Sequence, residues 1–280
     1  KESLVTVINT NVSATLASNA IVRNERAMST AMERLSTGKR INSASDDAAG
    51  LAIASRMSSQ VKGLEQAARN ANDAISMTQT VEGAGKEILN ILTRMKELAV
   101  QAGSGTYSDT DRDAMDLEYQ QLEAEILRIE TNTKWNGQAL LDGADTVAVQ
   151  IGAGSGQTMS LSFGDWTTTA NSGVFSVALT SYDLQSASNA ATAMTNLDTA
   201  ITKASEELAK YGSYTNRLEY AADNLSNIAA NTDASRSRIE DADYAKETSE
   251  LAKTQIIAQA GTAMLAQANQ IKQTVLALLQ

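Results

Sequence analysis

Residues 194–229 read MTNLDTAITKASEELAKYGSYTNRLEYAADNLSNIA. In this stretch Met194, Leu197, Ile201, Ala204, Leu208, Tyr211, Thr215, Leu218, Ala222, Leu225 and Ala229 follow one another in alternating steps of three and four. An unbroken ladder of this kind puts every member on one stripe of an α-helix, as in the seam of a coiled coil. Gly212 lies inside the run and should weaken it locally by about 1 kcal/mol relative to alanine. The stretch therefore predicts a mainly α protein built on long paired helices.

Working outward, the same period recurs. Met115, Tyr119, Leu122, Ile126 and Ile129 form a second ladder, and Ile257, Gly261, Met264, Ala268, Ile271, Val275 and Leu278 a third at the C-terminal end. From Ser45 to about Ala102 the pattern is again helical, through Leu64, Ala68, Ala71 and Ile75, then Ile88, Leu92, Met95 and Ala99. Gly83 and Gly85 mark a bend or a close helix contact within it. The N-terminal stretch adds Ile21, Met28, Met32 and Leu35. Helix boundaries have chemical signals. Ser43 or Ser45 ahead of Asp46 and Asp47 reads as a cap with acids in the first turn. Ser108-x-x-Asp111 resembles a capping box, and Gly103-Ser104-Gly105 reads as a helix stop.

The helical period disappears between about Lys134 and Tyr182. Asn136-Gly137 and Asp142-Gly143 are turn signals. Val147–Ile151 and Met159–Phe163 alternate with period two and are joined by Gly152-Ala-Gly154-Ser-Gly156, while Val174–Leu179 reads as a third strand. The expectation is a small β-hairpin module inserted mid-chain, with an exposed Thr-, Asn- and Ser-rich tip over Asp165–Gly173.

Composition narrows the chemistry. The 280 residues contain no Cys, no His and no Pro. That removes disulfides, thiolate nucleophiles, imidazole acid–base catalysis and the usual zinc sites. The net charge of −10 argues against DNA or an anionic membrane as the principal ligand, because both require clustered cations. Arg23, Arg26, Arg34, Arg40, Arg236 and Arg238 do gather near the two ends, but without stacking aromatics they read as partners for capping or inter-subunit pairs. The longest uncharged stretches, Ser3–Val22 and Thr254–Ile271, are too rich in amide and hydroxyl side chains to span a bilayer. The start lacks the compact apolar core of a secretory signal. No cofactor, metal, nucleic acid or membrane insertion is expected, and no catalytic constellation is present. Asp109-x-Asp111-x-Asp113 opens like a calcium loop, yet Ala114 and Gln120 stand where such a loop needs Gly and Glu. Gly152-x-Gly154-x-Gly156 lacks the surroundings of a phosphate-binding loop. Glu240, Asp241 and Asp243 are read as answering Arg236 and Arg238 at a helix junction.

Both ends are rich in alanine and amides, and Lys272 is the sole charge from Thr254 to Gln280. Helices with so thin an apolar stripe are marginal alone. Two readings follow: the ends bury each other within one molecule, or they meet other copies.

Several stretches carry a family resemblance. Ile8-Asn9-Thr10-Asn11, Leu35-Ser-Thr-Gly38-Lys39-Arg40-Ile41-Asn42 running on through Ser-Ala-Ser-Asp46-Asp47-Ala-Ala-Gly50-Leu51, Ser235-Arg236-Ser-Arg238-Ile239-Glu240-Asp241-Ala242-Asp243-Tyr244-Ala245, and Leu265-Ala-Gln-Ala-Asn269-Gln270 together resemble the terminal signatures of bacterial flagellin. Only Lys1–Thr6 departs from the pattern. The resemblance implies an inner coiled-coil polymerisation domain from residues 1–45 plus 236–280, a helical bundle domain from 46–142 plus 183–235, and a short variable insertion at 143–182. That insertion is too small, and without His, to hold the zinc protease some flagellins carry. It implies a non-enzymatic subunit of the extracellular swimming filament, exported by the flagellar type III route without a cleaved secretory signal. Its partners would be further copies of itself, an export chaperone, the filament cap and the hook-associated proteins. The terminal-helix residues Ile8, Val12, Ile21, Met28, Leu35, Ile257, Met264, Ile271, Val275 and Leu278 would carry self-assembly. Arg94, Leu98 and Glu118 match family positions contacted by vertebrate Toll-like receptor 5, and Glu97 and Gln101 share a helix face with Arg94. Thr167, Thr168, Thr169 and Ser172 are candidate glycosylation positions by the same resemblance. The alternatives are a hook–filament junction protein of the same family and a signalling coiled coil like a chemoreceptor bundle; the β insertion speaks against the second.

Overall fold

The computed structural model describes residues 11–143, 146–168, 173–175 and 183–277, with side chains up to Gln270. The elements in chain order are α1 (Val12–Thr37), α2 (Ala48–Ala102), α3 (Asp109–Asn132), β1 (Lys134–Trp135), β2 (Gln138–Ala139), β3 (Thr146–Gln150), β4 (Thr158–Ser162), α4 (Ala187–Glu240) and α5 (Tyr244–Ala277). Two compact units result, one formed by the chain up to Ser59 with Asn231 onward, the other by Gln60–Ala230.

In the second unit the 194–229 ladder behaves as its spacing requires. Leu197, Ala204, Tyr211, Leu218, Leu225 and Ala229 are buried on α4, and Met194, Ile201, Leu208 and Ala222 pack partly buried beside them. Facing them, α2 buries Ala71, Met77, Val81, Ile88, Leu92, Met95 and Ala99, and α3 buries Met115, Tyr119 and Ile126. Gly212 interrupts nothing. At Gly85 the helix approaches its neighbours closely: an added methyl would lie 3.0 Å from Leu208 and 3.4 Å from Trp166. Gly83 has open space around it, and α2 runs through both glycines as one helix.

Two hairpins follow α3. β1 pairs antiparallel with β2 across Asn136 and Gly137, whose φ angles of +49° and +83° are those of a two-residue primed turn. β3 pairs with β4 in the register Val147↔Leu161 and Val149↔Met159, placing their alternate apolar residues on one face. The hairpin turn reaches α2, where Gly63 leaves room for Ala153. Asn70 Nδ2 donates to the Gln150 carbonyl at 3.1 Å.

In the tip that the sequence places in solvent, Asp165–Gly173, the described residues Trp166 and Thr168 are core, while Gly173 is exposed. Trp166, Val174 and Phe175 are buried in the same cluster as α2 and α4, and Thr168 is only 1% exposed. The reason is a polar clasp. Trp166 Nε1 donates to the Phe163 carbonyl at 3.0 Å and to Tyr211 Oη at 2.8 Å, while Tyr211 Oη donates to the Phe163 carbonyl. Burial pushes the Tyr211 phenol's pKa up, so the hydroxyl stays a donor. The described residues of the insertion therefore pack as part of the helical unit. Of the third strand expected at 174–179, only Val174 and Phe175 are described; Val174 N–H donates to the Asp165 carbonyl at 2.8 Å.

The helix ends mix agreement and correction. Ser108 and Asp111 form a reciprocal capping box on α3. Arg112 closes the end of α2 by donating to the carbonyls of Ala102 and Ser104. For α2 the cap is Asp47, not a serine: its carboxylate accepts from Gly50 N–H at 2.8 Å. Asp46 folds back instead on the Ser43 and Asn42 N–H groups, which hold its carboxyl below the usual range. Asp243 caps α5, accepting from Ala245 N–H, and Asp241 accepts from Ser237 Oγ. Of the three acids, only Glu240 answers arginine as expected, reaching Arg236 at 3.8 Å and Lys39 at 2.5 Å.

Candidate functional site: the terminal helix pair and the Arg94 face

In the first unit α1 and α5 lie antiparallel, and polar groups set the register. Asn11 Nδ2 donates to the Ala268 carbonyl at 3.3 Å, and Asn24 Nδ2 to the Thr254 carbonyl at 2.7 Å. Further along, Arg34 Nη1 pairs with Glu247 Oε1 at 3.2 Å. Asn24, Glu247 and Thr254 are buried. Around them the seam alternates small and large side chains: Ala14, Ala17, Ile21, Met28, Ala31 and Leu35 on α1 and Leu251, Ala258, Gly261, Leu265 and Ala268 on α5 are all buried or half-buried. Gly261 permits the approach, since a methyl there would sit 2.9 Å from Ile21 Cγ1.

This arrangement corrects the C-terminal ladder read from sequence. Gly261 and Ala268 do turn inward, but Ile257 and Met264 face out. The inner seam is Thr254, Ala258, Gly261, Leu265 and Ala268, one step round the helix. The outward faces are correspondingly apolar: Leu16 is 62%, Ile256 66% and Met264 66% exposed, with Val12, Val22, Met32 and Ile257 also open. Of the expected assembly residues, Ile21, Met28 and Leu35 belong to the inner seam, whereas Val12, Ile257 and Met264 are free for another surface. Ile8 and Leu278 lie outside the described residues, as do the side chains of Ile271 and Val275. Sequence reasoning missed Asn24, Thr254, Leu16 and Ile256. For Thr254 and Ile256 the signal is that α5 carries two interleaved ladders, of which the less apolar is the seam; Asn24 and Leu16 on α1 have no such local signal.

The other expected surface lies on α2 and α3. Arg94 Nε donates to Glu118 Oε1 at 2.9 Å, and its Nη1 to Glu97 Oε2 at 3.0 Å. These bonds, Glu118 first, raise the guanidinium's pKa. Arg94, Glu97, Gln101 and Glu118 are all exposed, so the structure brings four of the five residues to the surface. Leu98 is the exception. At 2% exposure it is part of the core, because it sits one helical turn from Met95 and beside Ala99 and Ala102 on the buried stripe. It cannot touch a ligand that leaves the fold intact. Among the candidate glycosylation positions, Thr168 is buried, Thr167 is half-buried with its hydroxyl donated to Asp165 Oδ1 at 2.6 Å, and Thr169 and Ser172 lie outside the described residues. The Asp109–Asp113 run is occupied locally: Asp109 pairs with Arg112 at 3.0 Å and Asp111 closes the capping box.

Residues 8–146 match the bacterial flagellin N-terminal helical region and residues 194–279 the bacterial flagellin C-terminal helical region. The chain belongs to the bacterial flagellin family. It is similar to a flagellin of Halalkalibacterium halodurans, 44% identical over 98% of this chain and 100% of that protein. It is similar also to a flagellar filament 31.3 kDa core protein of Treponema maltophilum, 40% identical over 98% of this chain and 100% of that one. Among solved structures, the crystal structure of Bacillus cereus flagellin superposes with a TM-score of 0.50 at 37% identity, covering 58% of this chain and 94% of that chain. The chain thus has the length and both helical regions of a short flagellin, and its α1/α5 pair falls within the two matched regions.

Proposed function

We propose that this chain is a structural subunit that polymerises into the extracellular flagellar filament through the outward faces of the α1/α5 pair. The observation that carries the reading is the exposure of Val12, Leu16, Ile256, Ile257 and Met264 on helices whose inner seam is already filled. Apolar surface of this extent is stabilised by burial against something, and from Thr254 onward, where Lys272 is the sole charge, α5 can pack side by side with other helices without desolvating many ions. A face that meets a different face on the next copy yields an open helical polymer. In this assignment residues 1–45 plus 236–280 polymerise, 46–142 plus 183–235 form the supporting bundle, and 143–182 are a reduced insertion whose described residues share that bundle's core. The chain acts without catalysis. Its encounters with an export chaperone, the filament cap and hook-associated proteins, and its export without a cleaved signal, belong to the same reading. The test is seeded growth followed by electron microscopy. Full-length protein should extend sheared filament fragments, and a variant lacking 254–280 should not; equal growth of the two would refute it.

The Arg94 face supports a second role for the free subunit, recognition by vertebrate Toll-like receptor 5 through Arg94, Glu97, Gln101 and Glu118. Leu98 contributes only by holding α2 in place. A reporter assay with monomer should respond to the parent and lose response with Arg94→Ala. An unchanged response would end the proposal.

A further inference from the structure

Nine methionines are distributed unevenly between core and surface. Met77, Met95, Met115 and Met159 are buried, Met28, Met57 and Met194 are half-buried, and Met32 and Met264, at 55% and 66% exposure, stand open. Both open thioethers lie on the outward faces of the α1/α5 pair. Met264 is two helical turns from Ile257 and close to Ile256, so the three share one apolar strip. With no cysteine in the chain, thioethers are its softest nucleophiles.

We propose that Met264, together with Met32, is an oxidation site through which peroxide blocks assembly. The inference rests on the filament reading above. The thioether sulfur attacks one peroxide oxygen; the S–O bond forms as the O–O bond breaks. The departing hydroxide takes the proton from the oxygen now bound to sulfur, giving water and the sulfoxide, so methionine is oxidised by two electrons and the peroxide reduced. The product sulfoxide is polar and chiral where the strip is apolar. Packed against a neighbouring helix it would be a buried acceptor with no donor supplied, and that disfavours burial. Reaction is selective because peroxide reaches the two open sulfurs first. It is self-limiting because a subunit already in the filament covers them.

The experiment uses full-length monomer treated with hydrogen peroxide, peptide mass spectrometry to place the sulfoxides, and growth on sheared filament fragments. Met264 and Met32 should oxidise ahead of the seven others in monomer, and at least ~10-fold more slowly in assembled filament. Elongation by oxidised monomer should fall by at least ~10-fold, the loss expected for burying an unpaired polar group. Met32→Leu/Met264→Leu, a near-isosteric exchange, should elongate normally and resist peroxide. Methionine sulfoxide reductase should restore the oxidised parent, a check that holds even if the double variant grows poorly. Oxidised Met264 with undiminished elongation, a double variant as peroxide-sensitive as the parent, or failure of the reductase to restore growth would each overturn the proposal. Untreated parent that never elongates would instead refute the filament reading itself.

Discussion

Two glycines inside helices should respond to the same substitution with opposite sign. In a helix interior Gly→Ala stabilises by about 1 kcal/mol through backbone entropy and propensity. At Gly212 on α4 an added methyl meets no atom within 4 Å, so Gly212→Ala should realise that gain. For a unit of this size the corresponding rise in Tm is about 2–4 °C. At Gly261 the new Cβ would sit 2.9 Å from Ile21 Cγ1 and 3.5 Å from its Cδ1. Ile21 is β-branched on a helix and has one comfortable χ1, so it cannot swing away. Either its rotamer is forced or α1 and α5 move apart, an overpacking cost of about 1–3 kcal/mol. Set against the propensity gain, Gly261→Ala should lose up to about 2 kcal/mol, all of it in the terminal pair. Hydrogen exchange resolved by peptide separates the two places. Gly261→Ala should speed exchange in α1 and α5 and leave 60–230 unchanged, while Gly212→Ala should slow exchange in α4. If Gly261→Ala instead protected α1 and α5 as much as Gly212→Ala protects α4, the close α1–α5 approach would be wrong, and the inner seam with it.

Leu98→Ala should destabilise the 60–230 unit by about 2–5 kcal/mol, the usual cost of emptying a core leucine site, whereas Arg94→Ala on the exposed face should leave its urea midpoint unchanged; equal effects would contradict the placement of Leu98. Ser108→Ala removes the oxygen that accepts from Asp111 N–H and should cost about 1 kcal/mol of stability, read from thermal melts. Glu130 is buried, and that desolvation, followed by the nearby Asp165 and Asp142 charges, raises its carboxyl pKa against the pull of the Thr168 N–H. A raised folded pKa means the folded state holds the proton more tightly, so this stabilising contribution is complete below about pH 4.3 and disappears as pH climbs through the folded value. Glu130→Gln should therefore flatten that decline in urea melts followed by tryptophan fluorescence, and a decline as steep as the parent's would assign the pH dependence elsewhere.

The bundle was legible because its residues are large. Leu197, Leu208, Tyr211, Leu218 and Leu225 mark one stripe with no rival on the same helix, and the hairpin announced itself through Asn136-Gly137 and period-two alternation. Trp166 and Thr168 in the insertion tip depart from the expected exposure because the local composition is polar while Trp166 is held by long-range bonds. Trp166 is anchored by Tyr211, 45 residues away, and no local pattern encodes that. Leu98 was misread for a related reason: a family motif names contiguous residues, but on a helix contiguous residues face different ways. Arg94 and Leu98 are both in the motif, and only one is on the surface.

The terminal helices are harder to read for a reason tied to what they do. A helix with one buried side announces it by a single apolar stripe. α5 has an inner side made of Thr254, Ala258, Gly261, Leu265 and Ala268 and an outer side carrying Ile256, Ile257 and Met264, so apolar residues surround it and the periodicity blurs. On α5 the inner side between Thr254 and Ala268 is mostly small, Leu265 excepted, with Gly261 meeting Ile21 closely, while the large Ile256, Ile257 and Met264 stand outside. Hydrophobicity alone then points to the outer side as the seam. Asn24 and the Arg34–Glu247 pair resolve the ambiguity, since a polar group in a helix seam fixes register where apolar contacts would allow slippage. Their side chains fix which faces of α1 and α5 pack within the molecule itself, and the proposed assembly assigns the remaining faces to the next copy.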